Sequence, residues 1–202
     1  IQKVKKNHTK TKLMFLLSVA AVLMLVALFS DKFCMYDPYA QDLSLSQFPP
    51  SINHILGTDR YGRDMFSRVI AGSRISIYGT LFIVFATALF GTATGILCGM
   101  KGGTFDSVLM RISDLFLAFP SLVFALAVAG VLGGGIQNAV IALVIISWPK
   151  FARLARGLTL SEKTSRYITA AKLSGSSTAK ILFKHILPNI SGPILVTAVL
   201  DI

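Results

Sequence analysis

Charge is scarce in this chain. Only 14% of its 202 residues are charged, nine acids against twenty Lys and Arg, well under the roughly 25% of a soluble domain, and this excludes an ordinary water-exposed globule. Cysteine is scarcer still. Cys34 and Cys98 form neither a CxxC redox pair nor a zinc-ligand spacing and read as packing thiols. His8, His54 and His185 show no HExxH or related pattern, so no metal site is assigned. There is no GxxxxGK[ST] phosphate loop, so no ATP hydrolysis is expected of the chain itself. No catalytic or cofactor-binding residue emerges.

What the chain has is apolar length. Hydrophobic residues make up 53% of it, and a run of about 20 such residues crosses the roughly 30 Å hydrocarbon layer as a helix, which satisfies its own backbone hydrogen bonds. The basic tail IQKVKKNHTKTK precedes the run Leu13 to Phe29. That run is longer than a signal-peptide core and no A-x-A site follows it, so it reads as an anchor that stays in the membrane. The opening Ile1, in place of Met, suggests an absent or unusual start. Residues 31–74 are polar and punctuated by Pro38, Pro49, Pro50, Gly57 and Gly62, a loop with one short helix over Arg63 to Ile70.

Further spans are expected at about 75–100, 115–132 and 136–151, with a fifth beginning at 190–202, giving an all-α polytopic membrane protein. Gly91, Gly95 and Gly99 recur every four residues and present a smooth strip for close helix packing. Pro120 should bend the span that holds it, for gating or for packing. Arg111 and Asp114, three apart, can pair at the interface. The run Gly133 to Gly135 makes a tight turn, and Lys150 extends a short fourth span by snorkelling. Asp201 falls inside the unfinished fifth span, as a paired or pathway-facing acid.

The charges set the topology. Fifteen of the twenty Lys and Arg fall in the N-terminal tail, the turn after residue 100 and residues 150–184. The other side holds Lys32, Arg60, Arg63, Arg68 and Arg74, matched by Asp31, Asp37, Asp42, Asp59 and Asp64. The positive-inside rule therefore puts the N-terminus and residues 161–189 in the cytoplasm and residues 31–74 outside. Basic flanks facing anionic lipid account for the net charge of +11. With no aromatic-basic platform present, nucleic acid is not a partner.

The segment from Ser161 to Asn189 carries helix over Glu162 to Leu173, a break at Ser174–Gly175, and a second helix capped within Ser176 to Thr178. Ile181, Leu182 and Ile186 share a face with His185. That face needs cover, either from the chain's own spans and the lipid interface or from a partner protein.

The stretch TAAKLSGSSTAKILFKHILPN, Thr169 to Asn189, resembles the EAA motif of ABC importer permeases. Ala170, Ala171, Gly175, Leu187 and Pro188 fall on its pattern; Thr169 stands in place of the usual Glu and His185 in place of Ile. The ending HILPN is similar to that of the peptide and nickel branch. HILGTDRYGRDMFSRVIAGSRIS, His54 to Ser76, resembles the G-T-D-x-x-G-R-D-x-x-S-R signature of the same branch through Gly57, Thr58, Asp59, Gly62, Arg63, Asp64, Ser67 and Arg68. YDPYAQDL, Tyr36 to Leu43, is similar to its D-P-x-x-x-D-L element.

The resemblance implies a C-terminally incomplete permease subunit with the type I ABC importer transmembrane fold, resident in the cytoplasmic membrane and moving peptides or nickel chelates by alternating access. It implies a second permease subunit, two cytoplasmic ATPases that bind the ATP, and an extracytoplasmic solute-binding protein as partners. In such a subunit Thr169, Ala170, Ala171, Gly175, Ile181, His185, Leu187 and Pro188 would meet the ATPase. An importer for another solute, a stand-alone channel and a membrane scaffold are the alternatives.

Overall fold

The computed structural model describes residues 2–202, with side chains from Lys10 onward; the side chains of Lys3, Lys5 and Lys6 in the expected basic tail lie outside the described residues. Among the described residues there is no strand, only an isolated antiparallel bridge between Thr58 and Asp64. The chain divides into two compact units, one ending at Thr80 and the other running from Leu81 to Ile202.

The first unit holds α1 (Gln2–Leu28), α2 (Ser30–Phe33) and a 3₁₀ turn at Leu43–Leu45. Residues Lys10–Leu28 of α1 are apolar and long enough to cross a membrane, and Leu13, Met14, Phe15, Leu16 and Leu17 are all exposed, as a lipid-facing helix requires. This unit also contains the start of α3 (Met65–Lys101). The short helix expected over Arg63 to Ile70 is absorbed into α3, because no residue after Asp64 breaks the ladder.

The second unit is built on the rest of α3 and on α4 (Gly103–Ala118), α5 (Ser121–Val131), α6 (Ile136–Lys163), α7 (Arg166–Leu173), α8 (Thr178–Ile181), a π turn (Leu182–Ile186) and α9 (Leu187–Leu200). The expected span at 115–132 is not one helix. Phe119 is extended, with ψ 147°, as the residue before a proline prefers, and Pro120 cannot donate, so α4 and α5 meet at 95°. The fourth span outruns its expected end at Phe151 by continuing to Lys163 straight through Pro149. Its charged extension is tolerated because Arg153 and Arg156 are neutralised by Asp114 and Asp106. Asp114 thus pairs across to α6 and not with Arg111. Gly133, Gly134 and Gly135 all have positive φ and turn α5 back into α6, as expected of that run.

The glycine strip packs α3 on α6. A Cβ on Gly91 would lie 2.7 Å from the Phe151 Cβ, one on Gly95 2.9 Å from the Ala155 Cβ, and one on Gly99 2.8 Å from the Thr159 Cβ. Only hydrogen fits at these crossings.

Candidate functional site

The segment after α6 folds as a helical hairpin whose geometry follows from single residues. The helix expected over Glu162 to Leu173 is interrupted at Thr164–Ser165, so α6 ends at Lys163 and α7 starts afresh at Arg166. At that boundary the Lys163 ammonium donates to the carbonyls of Gly99 and Met100 at 3.3 and 2.8 Å, capping the last turn of α3. Helix α7 closes in a full Schellman turn, with Ser176 N–H bonded to the Ala171 carbonyl and Gly175 N–H to that of Lys172, both 3.0 Å. Gly175 takes φ +76°, a left-handed conformation that costs any other L-residue about 1–2 kcal/mol. Ser177 caps α8 by accepting from the Lys180 amide at 3.3 Å.

The second helix widens almost at once. Leu187 N–H bonds back to the Leu182 carbonyl, an i to i−5 bond that marks the π turn. Pro188 supplies the cause, since in a regular α-helix its ring would press on the Lys184 carbonyl while offering it no N–H. Through the turn the chain runs without a gap into α9, which starts at Leu187, ahead of the expected Ile190.

One face of this hairpin is locked to the spans. Ile168, Ile181 and Ile186 are 0%, 3% and 0% exposed and cluster with Ile96, Phe151, Ala155, Ile190 and Ile194. Each buried isoleucine contributes about 1.5–3 kcal/mol. A polar clamp adds to the lock: Asn189 donates to the Tyr167 hydroxyl at 2.7 Å, and that hydroxyl donates to the Glu162 carboxylate. The Tyr167 ring also lies 6.1 Å from that of His185. The other face is open, with Leu173 85% and Phe183 67% exposed.

The residues singled out in sequence divide accordingly. Thr169, Ala170, Gly175 and Pro188 are exposed, while Ala171, His185 and Leu187 are half-buried, with Ala171 and Leu187 packed on the isoleucine cluster. Ile181 is a correction: it is an internal strut and presents no surface. The apolar face left open between self-packing and a partner is thus used internally at Ile181 and Ile186, and the exposed Leu173 and Phe183 take its place. The 3.6-residue period identified the apolar face of Ile181 and Ile186 but could not foresee the π turn over Leu182–Ile186, in which Phe183 is exposed.

The loop motif is self-contained. Asp59 accepts from Arg63 Nε at 2.8 Å, from the Tyr61 and Arg63 amides at 2.8 and 3.1 Å, and from Arg68. Desolvation works to raise its pKa, but these hydrogen bonds and the Arg63 charge hold its carboxyl down at about 2. Asp64 accepts from the Ser67 amide at 2.7 Å and faces His54 Nδ1 at 3.0 Å. Its desolvation is likewise outweighed by the Ser67 and His54 bonds, and its pKa is lowered. Ser67 in turn accepts from the Tyr36 amide, and the Thr58 hydroxyl bonds to the Leu45 carbonyl. Gly57 and Gly62 both have φ +71°, and a side chain at either would strike backbone, at Phe48 and Asp42 respectively. All eight motif residues are therefore accounted for by the loop's own fold.

Sequence reasoning missed a ladder along α6. Lys150, Arg153 and Arg156 pair with Asp201, Asp114 and Asp106, the last bidentate at 2.5 and 2.6 Å. The i, i+3, i+6 spacing of the cations was the available signal; their acids lie on α4 and at the end of α9, far away in sequence.

Residues 91–202 match the family of binding-protein-dependent transport system inner membrane components. The chain is 41% identical over 184 residues to the probable D,D-dipeptide transport system permease protein of Escherichia coli (strain K12), covering 91% of this chain and 62% of that one. It is 38% identical over 186 residues to the oligopeptide transport system permease protein of Bacillus subtilis (strain 168), covering 92% and 61%. To the nickel transport system permease protein of Escherichia coli (strain K12) it is 35% identical over 186 residues, covering 92% and 67%. The chain thus spans about three fifths to two thirds of the length of these relatives.

Proposed function

Because the chain belongs to the family of binding-protein-dependent transport system inner membrane components, a multi-pass membrane family with the type I ABC importer transmembrane fold, we propose that it is the permease subunit of an ATP-driven importer of peptides or nickel chelates. The hairpin of α7, α8 and the π turn couples its spans to a cytoplasmic ATPase. The observation that carries this reading is the hairpin's two-sidedness. Its inner face is fixed to α3, α6 and α9 through Ile168, Ile181 and Ile186, whereas Leu173 and Phe183 are left exposed. A push on the outer face is then transmitted to the spans as a rigid displacement, because a close-packed cluster does not absorb motion by deforming.

The remaining parts follow. ATP is bound and hydrolysed by two partner subunits; a second permease subunit completes the pathway; a solute-binding protein delivers cargo to the side that carries the Asp59 loop. The basic tail and the hairpin are assigned to the cytoplasm in this reading, which the concentration of Lys and Arg on that side supports. Relatives are a D,D-dipeptide, an oligopeptide and a nickel permease by name, which sets the substrate class proposed.

Co-purification tests the coupling. The chain should retain an ATPase subunit through detergent extraction and lose it when Gly175 is replaced by valine, which cannot hold φ +76° without strain. Unchanged assembly and ATP-dependent uptake in Gly175→Val would refute the lever. An ATPase that never co-purifies would favour a stand-alone channel whose hairpin lies on lipid.

A further inference from the structure

The two apolar runs that flank the polar loop end at one cavity. Leu13 to Phe29 carries no charge, and Asp31 is the first after it; Ile75 to Met100 carries none, and Arg74 is the last before it. These two charges pair at 2.7 Å. One turn further along α3 the Tyr78 hydroxyl donates to the Met24 carbonyl at 3.2 Å, so the end of α1 is fastened to the early part of α3. Residues Lys10–Leu28 rise about 28 Å as helix and fill a hydrocarbon layer of roughly 30 Å. The Asp31–Arg74 pair therefore stands at the level of the lipid headgroups.

Beside the pair lies a cavity of about 640 Å³, walled by residues within 30–39 and by Ala71, Arg74 and Ile75 of α3, all inside the first compact unit. Its outer wall is tied down. The Cys34 thiol donates to the Ser67 carbonyl at 3.4 Å and the Tyr36 amide to the Ser67 hydroxyl at 3.1 Å, while the Tyr36 ring lies 4.9 Å from that of His54. The lining carries both signs. Arg74 gives only Nη1 to Asp31, so the Nε and Nη2 edge of its guanidinium remains for a bidentate anion. Asp37 accepts from the Tyr39 amide at 2.9 Å and forms no ion pair. A simple anion entering here would face two carboxylates against one guanidinium, whereas a ligand that brings its own cation leaves no charge unmatched.

We propose that this cavity binds the headgroup of an ethanolamine phospholipid, with the phosphodiester on Arg74 and the primary ammonium on Asp37. The level of the cavity selects a lipid as the source, and Met35, Ala71 and Ile75 in its wall suit the first carbons of the tails. The ammonium must be primary, because a choline has no N–H to give a carboxylate. A glycerol headgroup brings no cation at all. The site depends on the two spans and not on coupling to an ATPase, so it stands or falls apart from the permease reading.

The test is native mass spectrometry of the purified, delipidated protein in detergent, titrated in turn with phosphatidylethanolamine, phosphatidylcholine and phosphatidylglycerol of the same acyl chains. The first phosphatidylethanolamine should bind at least about tenfold more tightly than either other lipid, the range expected of a charge-assisted hydrogen bond. Asp37→Asn keeps the acceptor for the Tyr39 amide, and Arg74→Lys keeps a cation for Asp31; each should weaken that first adduct about tenfold and leave phosphatidylglycerol adducts unchanged. Glycerophosphoethanolamine, the headgroup without tails, should not displace the lipid at equal concentration. Equal affinity of the parent for the three lipids would overturn the proposal without recourse to any variant. So would full phosphatidylethanolamine binding by both variants, or displacement by the tail-less headgroup, which would point to a soluble ligand. Asp37→Asn that binds lipid as the parent does but loses uptake from a solute-binding protein would assign the cavity to a basic side chain of that protein instead.

Discussion

Replacing Gly95 by alanine adds a single methyl to the tightest crossing in the molecule. The new Cβ would stand 2.9 Å from both the Ala155 Cβ and the Arg156 backbone nitrogen, and would strike the Ala152 carbonyl oxygen. Two of these three are backbone atoms of a helix and cannot rotate away, so α3 and α6 must separate by roughly half an ångström to an ångström. Overpacking of this kind costs about 1–3 kcal/mol, against which alanine regains up to about 1 kcal/mol of helix propensity. Gly79 is an internal control on the same helix: nothing lies within 4 Å of a Cβ placed there, so Gly79→Ala should be neutral or mildly stabilising. Purified variants heated in detergent, with surviving monodisperse protein read by gel filtration, give the comparison. Gly95→Ala should fall several degrees below the parent, and Gly79→Ala should match or exceed it. Equal midpoints for the two variants would refute the close helix approach from which the hairpin takes its footing.

Arg156→Met leaves the Asp106 carboxylate, 11% exposed, without its bidentate partner, and should destabilise by about 1.5–3 kcal/mol; adding Asp106→Leu should restore most of the loss in the same heating assay. The Asp59 knot should loosen in acid. Its folded pKa of about 2 lies below the ordinary carboxylate value, so its contribution is complete above about pH 4 and is lost as pH falls from about 4 to about 2. Hydrogen exchange of the Gly57 to Gly62 amides, corrected for the intrinsic rate, should accelerate over that window, and constant protection would contradict the assignment. Thr169→Glu places a negative charge near the start of α7, at an exposed position, where the helix dipole favours it by about 0.3–1 kcal/mol. It should raise transport per ATP, and a fall would show that the neutral side chain is required.

Much of the architecture was legible because membrane helices declare themselves in long apolar runs and glycine strips. The spacing of Gly91, Gly95 and Gly99 located a helix contact, though not its partner, since nothing local names α6. Ser177 and Gly175 were readable because capping is a local transaction between neighbours. What local pattern could not supply was long-range pairing. Asp106, Asp114 and Asp201 acquire meaning only beside Arg156, Arg153 and Lys150. Pro120 announced a bend but not the 95° between α4 and α5, because the extended Phe119 adds to the missing hydrogen bond. The π turn arises from a steric conflict at Pro188 that a 3.6-residue periodicity does not encode.

Coupling through the hairpin's open face is tested most directly by photo-crosslinking. A photoreactive amino acid placed in turn at Leu173, Phe183 and the buried control Ile181 of the assembled transporter, followed by mass identification of the adducts, reports what each position touches. Adducts joining positions 173 and 183 to the ATPase subunit, with none from 181, are expected. Adducts only with lipid, or with another permease chain, at all three positions would contradict it.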